Sequence, residues 1–328
     1  MSQKKLKRPE VLAPAGTLEK LKVAVDYGAD AVFVGGQAYG LRSRAGNFTM
    51  DELREGIQYA HERGVNVHVA ANMVTHEGNE AGAGAWFREL RDMGLDAVIV
   101  SDPALMVICL TEAPGLEVHV STQASTTNYE SFAFWKEIGV TRVVLAREVS
   151  IAEIEEIRQH TDLEIEAFVH GAMCIGYSGR CVLSNHMSHR DANRGGCSQS
   201  CRWKYDLYDM PFGQERRSLK GEIPEEFSMS AVDMCMIEHI PDLIENGVDS
   251  FKIEGRMKSI HYVASVVSAY RHAIDSYFEN PEEFTIKQEW IDELNKVSHR
   301  EYTSGFSYHK TSCDDQIYNT TSYEHTSD

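Results

Sequence analysis

The amino-acid sequence predicts a (β/α)8 barrel. Eight short runs rich in Val, Ile, Leu and Phe recur along the 328 residues, each separated from the next by a helical stretch. Their nearly continuous apolar interiors are typical of parallel strands that are buried on both faces. Eight βα units in sequence favour a closed barrel, and a doubly wound open sheet is the alternative because the number of strands does not prove closure.

Glycine residues mark the start of four of the eight predicted strands. In chain order they cover residues 11–16, 31–36, 65–73, 97–102, 117–123, 142–148, 164–171 and 250–255. Gly28, Gly94, Gly139 and Gly247 each come just before a strand. Because glycine readily takes the left-handed conformation that ends a helix, each predicts a helix-to-strand junction. The helices carry apolar residues three or four apart, as in the stretch 18–25.

One segment interrupts the βα rhythm between strands seven and eight. Residues 171–235 are rich in cysteine, glycine and basic side chains. We therefore predict a barrel from residues 1–170 and 236–290, with 171–235 as a Cys-rich iron–sulfur-binding insertion that folds over the barrel mouth. Residues 291–328 are predicted to be a C-terminal tail, which is frayed from residue 314 because the apolar periodicity stops there.

Composition excludes some classes of function. A hydrophobic content of 42% and a charged content of 25% are those of a globular protein, and no apolar run is long enough to cross a membrane. The N-terminus lacks the apolar stretch of a secretory signal, so we expect a cytoplasmic protein. The net charge is −18. Residues 171–220, however, hold eight Lys/Arg against four acids and form a basic island on an acidic body.

Polar side chains are predicted to gather at the C-terminal ends of the strands, where barrel enzymes place their active sites. The candidate substrate-binding residues at these ends are Arg42, Arg44, Asn72, Gln123, Arg147, His170, Glu254 and Arg256. Four of them are arginines around one mouth, which indicates a small anionic substrate. No catalytic residue can be assigned from the pattern.

Four cysteines within the insertion are the strongest chemical signal in the chain. Cys174, Cys181, Cys197 and Cys201 follow the spacing C-x6-C-x15-C-x3-C, and the chain has seven cysteines in all. A [4Fe–4S] cluster held by four thiolates fits this set best. Structural zinc is the alternative, although zinc sites usually use C-x2-C pairs.

Disulfides and a catalytic cysteine fit the four thiols less well. Disulfides are not expected in a reducing compartment, and a catalytic Cys–His pair with His170, His186 or His189 would not require four thiols. Cys109 is predicted to be a packed small hydrophobic residue. Cys235, in a stretch that looks helical, is the one substitute ligand that the sequence offers.

Long sequence stretches resemble peptidase family U-32, the collagenase-like peptidases. The resemblance runs from about residue 8 to 277 and centres on 166–184, EAFVHGAMCIGYSGRCVLS. It includes LAPAG at 12–16, STQ at 121–123, the stretch around Cys197 and Cys201, and FKIEGRMKS at 251–259. Within the family, the chain is most similar to the bacterial tRNA-hydroxylation branch.

The resemblance implies oxygen-independent hydroxylation of the wobble uridine of tRNA to 5-hydroxyuridine. It implies prephenate as the source of the hydroxyl group and an iron–sulfur cluster as the cofactor, with Cys174, Cys181, Cys197 and Cys201 as ligands. The implied partners are the anticodon region of tRNA and a small anionic co-substrate. Membrane association is not expected. Trp203 and Tyr205 are expected to stack on an unpaired anticodon base.

Two further functions stay open at this point. The family name implies a peptidase, but the chain has no H-E-x-x-H or G-x-S-x-G motif. The third hypothesis is that the protein is a non-catalytic partner in a modification complex, either as a homo-oligomer or together with a family paralogue. Longer family members continue into a small β domain, and relative to them this chain is expected to be either a truncated form or a short paralogue.

Overall fold

Strands and helices alternate along most of the chain. A computed structural model describes residues 6–40, 47–206, 208–209, 217–218 and 226–317. The helices are α1 (Leu18–Asp26), α2 (Met50–His61), α3 (Ala83–Asp92), α4 (Pro103–Glu112), α5 (Tyr129–Ile138), α6 (Ile151–His160), α7 (Leu183–Ser188), α8 (Ile240–Glu245), α9 (Ile260–Glu279) and α10 (Gln288–Lys296). The strands are β1 (Glu10–Pro14), β2 (Ala31–Gly35), β3 (Asn66–Ala71), β4 (Ala97–Val100), β5 (Glu117–Val120), β6 (Arg142–Val144), β7 (Glu164–Ala172), β8 (Tyr205–Asp206), β9 (Tyr208–Asp209), β10 (Arg217–Ser218), β11 (Glu226–Phe227), β12 (Ser230–Ala231), β13 (Asp233–Cys235), β14 (Ser250–Ile253), β15 (Tyr302–Thr303) and β16 (Gln316–Ile317).

Eight parallel strands close into a barrel within the described part of the chain. β1 to β7 pair in sequence order, and β14 pairs with both β7 and β1. Glu10 lies opposite Ser250, and Leu12 lies opposite Ala31, so β1 has a parallel neighbour on each side. This closure confirms the predicted (β/α)8 barrel and excludes the open doubly wound sheet.

The packing has an inner and an outer part. A small cluster fills the barrel interior, made of Leu12, Ala31, Phe33, Ile99 and Val144 with Phe168 against it. A much larger cluster lies between the strands and the surrounding helices. Since alternate residues of a strand point to opposite faces, the apolar strands supply both clusters at once.

The glycines predicted to end helices do so. Gly28, Gly94, Gly139 and Gly247 have φ angles of 103°, 89°, 102° and 79°, a region that other residues rarely adopt. Each therefore reverses the chain from a helix into the next strand, and this positions the strand ends around one mouth.

The predicted insertion crosses the mouth after β7 and is anchored to three strand-end loops. Val74 N–H donates to Asn193 O at 3.0 Å, and Ser178 N–H donates to Glu148 Oε1 at 2.9 Å. Gly179 touches the backbone after β5 so closely that a Cβ atom would lie 1.9 Å from Gln123 O. The insertion is therefore fixed against the loops that follow β3, β5 and β6.

Two expectations for the later part of the chain are wrong. Cys235 does not lie in a helix, because β13 pairs antiparallel with β7 and places Cys235 opposite His170. The frayed tail predicted from residue 314 is wrong for 314–317, where β16 pairs with β12. Upstream, α10 packs on α9 and β15 pairs with β13. These pairings join residues that are far apart in sequence, so local periodicity gives no sign of them.

No helix in the part of the chain that the structure describes is long and apolar enough to cross a membrane.

Candidate active site at the barrel mouth

A cavity of about 220 Å³ opens at the C-terminal ends of the barrel strands, beneath the insertion. The strands and the loops that follow them supply Phe33, Ala70, Asn72, Ile99, Ser121, Thr122, Gln123, Arg147, Phe168, Lys252, Glu254 and Arg256. The insertion supplies Cys174, Ile175, Gly176, Tyr177, Ser178, Gly179, Cys181, Ala192, Asn193, Cys197 and Cys201. The cavity therefore joins the predicted anion-binding residues and the predicted metal ligands in one site.

All four cysteines of the insertion contribute to the cavity wall. Cys174 and Cys197 are exposed, whereas Cys181 and Cys201 are partly buried. Burial raises the pKa of the Cys201 thiol above its usual value, and the other three cysteines raise it further. Four thiols this close ionise together only beside a cation, because each thiolate opposes the next.

Four thiolates are the donor set of [4Fe–4S] clusters and of many structural zinc sites. A zinc ion with Zn–S bonds of about 2.3 Å would draw four sulfur atoms to within about 4 Å of one another. Within the described ranges, no three His, Cys, Asp or Glu side chains are grouped to hold one metal ion. The four thiols line one shared cavity, an arrangement compatible with a cluster whose thiolates bind separate irons.

The two remaining described cysteines lie elsewhere. Cys109 is fully buried on α4, and burial raises the pKa of its thiol to about 12. Cys235 lines a different cavity with Tyr302 and Asn295, and burial raises the pKa of its thiol to about 11. Neither lines the barrel-mouth cavity, whereas Cys201 does.

Cationic side chains form the other side of the cavity. The Arg147 guanidinium lies 3.9 Å from the centre of the Phe168 ring, and its Nη2 is 3.9 Å from Glu254 Oε2. Arg256 is almost fully buried, and its Nη2 donates to Asn47 Oδ1 at 3.0 Å. Guanidinium groups fixed in this way present planar donors to a carboxylate or phosphate.

Sequence reasoning missed Lys252, which lies at the floor of the cavity. Its side chain is 5% exposed, and Nζ donates to Glu166 Oε1 at 2.6 Å. The ammonium also lies 4.5 Å from the centre of the Phe33 ring. Lys252 is two residues before Glu254, so the alternation of β14 is the signal that could have placed both residues in the cavity.

Glu166 connects Lys252 to a charged network inside the barrel. Glu166 Oε2 accepts from Arg142 Nη1 at 3.2 Å, and Arg142 also donates to Glu10 and Glu164. Although burial favours the protonated form, Lys252 and Arg142 bring the pKa of the Glu166 carboxyl down to about 2. The carboxylate therefore stays ionised and fixes the Lys252 ammonium at the cavity floor.

Most of the predicted substrate-binding residues lie in the cavity, but His170 does not. Asn72, Gln123, Arg147, Glu254 and Arg256 contribute to its wall, while Arg42 and Arg44 lie outside the described residues.

His170 instead packs against the ring of Tyr270 on α9, at 5.6 Å between centroids. Burial lowers the pKa of His170 to about 3. The cause of this placement is a shift in register: Lys252 pairs with Phe168, yet Ile253 pairs with His170, so β7 holds one extra residue there. His170 thus points away from the mouth, which simple alternation from Glu166 could not reveal.

Comparison with known proteins gives consistent matches. The sequence model for peptidase family U32 matches residues 16–317. The chain is 55% identical over 300 residues to "tRNA hydroxylation protein P1" of Bacillus subtilis (strain 168), covering 92% of this chain and 71% of that protein. It is 37% identical over 354 residues to "tRNA hydroxylation protein P" of Escherichia coli (strain K12), covering 95% and 77%. It is also 36% identical over 272 residues to "23S rRNA 5-hydroxycytidine C2501 synthase" of the same strain, covering 83% and 40%.

Proposed function

The chain belongs to peptidase family U32, and on that basis we propose that it is an RNA-modifying hydroxylase that converts the wobble uridine of tRNA to 5-hydroxyuridine. One structural observation carries the proposal: four cysteines and three cationic side chains face the same cavity at a barrel mouth. The names of the relatives support hydroxylation of a pyrimidine base in RNA. Because the proposed substrate is tRNA, we also propose that the protein acts in the cytoplasm.

The co-substrate in this proposal is prephenate, a dicarboxylate that provides the hydroxyl group. Lys252 at the floor and Arg147 and Arg256 in the wall would bind its carboxylates, while Glu254 offsets part of their charge. In the net reaction, the C5–H bond of uridine breaks and a C5–OH bond forms. The donor loses its hydroxyl group and takes up the hydrogen with the two electrons, so the transfer needs no dioxygen.

Cys174, Cys181, Cys197 and Cys201 would hold a [4Fe–4S] cluster in the wall of the same cavity. When bound, such a cluster would supply electron transfer. The protein's own contribution is positioning. The rings of Phe33 and Phe168 enclose the floor, and the insertion covers the mouth, so water is displaced when the substrates bind.

A peptidase activity has less support from this site, despite the family name. Among the described residues that line the cavity there is no histidine and no aspartate. A serine or cysteine peptidase needs a base beside its nucleophile, and His170 points away from the mouth. The cavity walls are instead rich in arginine, lysine and thiol groups.

The test is a reaction with purified components. Protein prepared without air and loaded with iron and sulfide is incubated with tRNA that lacks the modification and with prephenate labelled with ¹⁸O in its hydroxyl group. We expect labelled 5-hydroxyuridine by mass spectrometry of the nucleosides. No product from iron-loaded protein would contradict the hydroxylase function for the isolated chain, and repeating the assay with a family paralogue added tests whether a partner is required. Unlabelled product would contradict prephenate as the source.

A further inference from the structure

Exposed apolar side chains are concentrated at the mouth end of the barrel. In the part of the chain that the structure describes, eleven large hydrophobic residues are exposed. Eight of them lie in the insertion, in the loops after β3 and β14, or beside the adjoining groove: Val74, Ile175, Tyr177, Val182, Met187, Trp203, Met257 and Tyr308. We call these eight residues the rim. Ile175 and Tyr177 also line the barrel-mouth cavity, and Tyr308 lines the adjoining groove. Exposed apolar side chains concentrated beside a cavity mark a surface on which another molecule docks.

Tyr177 is the most exposed residue of this rim, and it shares its place beside both the cavity and a groove with Ile175. Its side chain is 64% exposed, and the residue lines both the barrel-mouth cavity and a neighbouring surface groove of about 780 Å³. The groove continues past Phe306, Tyr308 and Lys310, and it is also lined by Glu148 and Glu153, whose carboxylates accept from Ser178 and Ser150. A ligand that lies in the groove and inserts one group into the cavity would therefore pass over the Tyr177 ring.

The backbone holds Tyr177 firmly although its ring is exposed. Arg180 N–H donates to Tyr177 O at 3.0 Å. The next residue, Ser178, is buried, and both its N–H and its hydroxyl donate to Glu148 Oε1. An aromatic ring on a fixed turn costs little conformational entropy when a flat partner stacks on it.

The charge of the insertion favours a polyanionic partner. Residues 171–206 carry Arg180, Arg190, Arg194, Arg202 and Lys204 against two aspartates, on a chain whose net charge is −18. Basic groups interleaved with exposed rings are the pattern that binds single-stranded nucleic acid, in which phosphates meet the cations and bases stack on the rings.

The aromatic residues expected from the sequence to stack on a base are less well placed. Trp203 is 39% exposed and does not line the cavity. The Tyr205 hydroxyl donates to Ser200 O at 2.6 Å, and its ring packs 5.8 Å from that of Phe227. Tyr205 is therefore part of the insertion's own packing.

We infer that Tyr177 is the platform on which the target pyrimidine of an unpaired RNA loop stacks as it enters the cavity. The inference rests on the proposed function and goes beyond it, because it assigns the residue that receives the base. The partner is a single-stranded loop because only an unstacked base offers both faces to a protein ring.

The experiment measures binding and catalysis separately. A short RNA stem-loop with a fluorescent pyrimidine at the target position is titrated with wild-type protein and with Tyr177→Phe, Tyr177→Leu and Tyr177→Ala. Loss of one stacked base weakens binding by about 5- to 150-fold. We expect this loss in the Leu and Ala variants, while Phe stays within about 2-fold of wild type. Trp203→Ala is the matched control, with a smaller loss than Tyr177→Ala.

Iron content is measured in every variant, because Tyr177 lies between Cys174 and Cys181. If Tyr177→Ala loses iron, the comparison of Leu with Phe decides, since both retain apolar bulk and only Phe keeps the ring. Equal binding by Leu and Phe, or a larger loss in Trp203→Ala, would overturn the inference. Wild-type protein that binds the loop but forms no 5-hydroxyuridine would contradict the proposed function and leave the role of Tyr177 in binding intact.

Discussion

The guanidinium of Arg256 lies directly against Gly35, at the C-terminal end of β2. A Cβ atom on Gly35 would fall 2.3 Å from Nη1 of Arg256. The backbone of Arg256 is equally close to Gly16, where a Cβ atom would lie 2.2 Å from the Arg256 carbonyl oxygen. Two glycines near the C-terminal ends of neighbouring strands thus make room for one arginine in the cavity wall.

Gly35→Ala is expected to impair co-substrate binding by displacing the Arg256 side chain. Real Cβ atoms do not approach other atoms this closely, so the guanidinium must move away from the cavity. We expect the Kd for the anionic co-substrate to rise about 10-fold or more, the order of one lost charge-assisted contact. Calorimetric titration measures it. Gly40→Ala is the control, because its Cβ would make ordinary contacts, the nearest at 3.4 Å. An equal effect in both variants would contradict this role for Gly35.

Lys252→Met is expected to destabilise the barrel as well as abolish anion binding at the floor. The change leaves the Glu166 carboxylate buried with Arg142 alone, and breaking a buried ion pair costs about 3–5 kcal/mol. Urea unfolding of the iron-free protein measures the free energy of unfolding. Adding Glu166→Gln to Lys252→Met should recover part of the lost free energy of unfolding. The double variant no longer contains a buried Glu166 carboxylate without its lysine partner. Additive losses in the double variant would show that the two residues do not act as a pair.

The barrel could be predicted from the sequence because its signals are local. Apolar runs mark strands that are buried on both faces, and Gly28, Gly94, Gly139 and Gly247 mark the junctions before four of them. The cysteine spacing marked the insertion whose four thiols line the cavity, and polar residues at strand ends marked five further residues of its wall.

The remaining features depend on long-range pairing, which local patterns do not show. Lys252 sits in an apolar strand, and its ammonium is held at the cavity by Glu166 on the neighbouring strand β7. The extra residue in β7 turns His170 away from the mouth. The pairing of β16 with β12 orders residues that look like a polar tail.

His170 is expected to contribute to acid sensitivity of the fold. Burial lowers its pKa to about 3, whereas in the unfolded chain it titrates near 6.5. Between these values the unfolded state binds a proton that the folded state does not, so stability falls as pH falls from about 6.5 towards 3. His170→Phe keeps a ring among the surrounding tyrosines and removes the titration. Its free energy of unfolding should fall less steeply with pH than that of wild type.

The test for His170 is the slope of the free energy of unfolding against pH. One proton contributes about 1.4 kcal/mol per pH unit, and urea unfolding at pH 7, 6 and 5 resolves that difference. His61→Phe is a suitable control, because His61 is exposed and pairs with Asp96 at the surface. A wild-type slope in His170→Phe would show that the ring is protonated or exposed in the folded protein.

Cys201→Ala and Cys235→Ala are expected to separate the fourth cluster ligand from a packed thiol. Cys201 faces the cavity with the other three cysteines, whereas Cys235 lies on β13 beside a different cavity. We therefore expect Cys201→Ala to lose iron, sulfide and hydroxylation together, and Cys235→Ala to keep the iron content of wild type. Cys109→Ala, a change in the outer core, should also keep its iron and lose only modest stability. If Cys235→Ala loses iron while Cys201→Ala keeps it, Cys235 is the fourth ligand instead of Cys201. Iron content reports this directly, because binding of the metal requires its thiolate ligands.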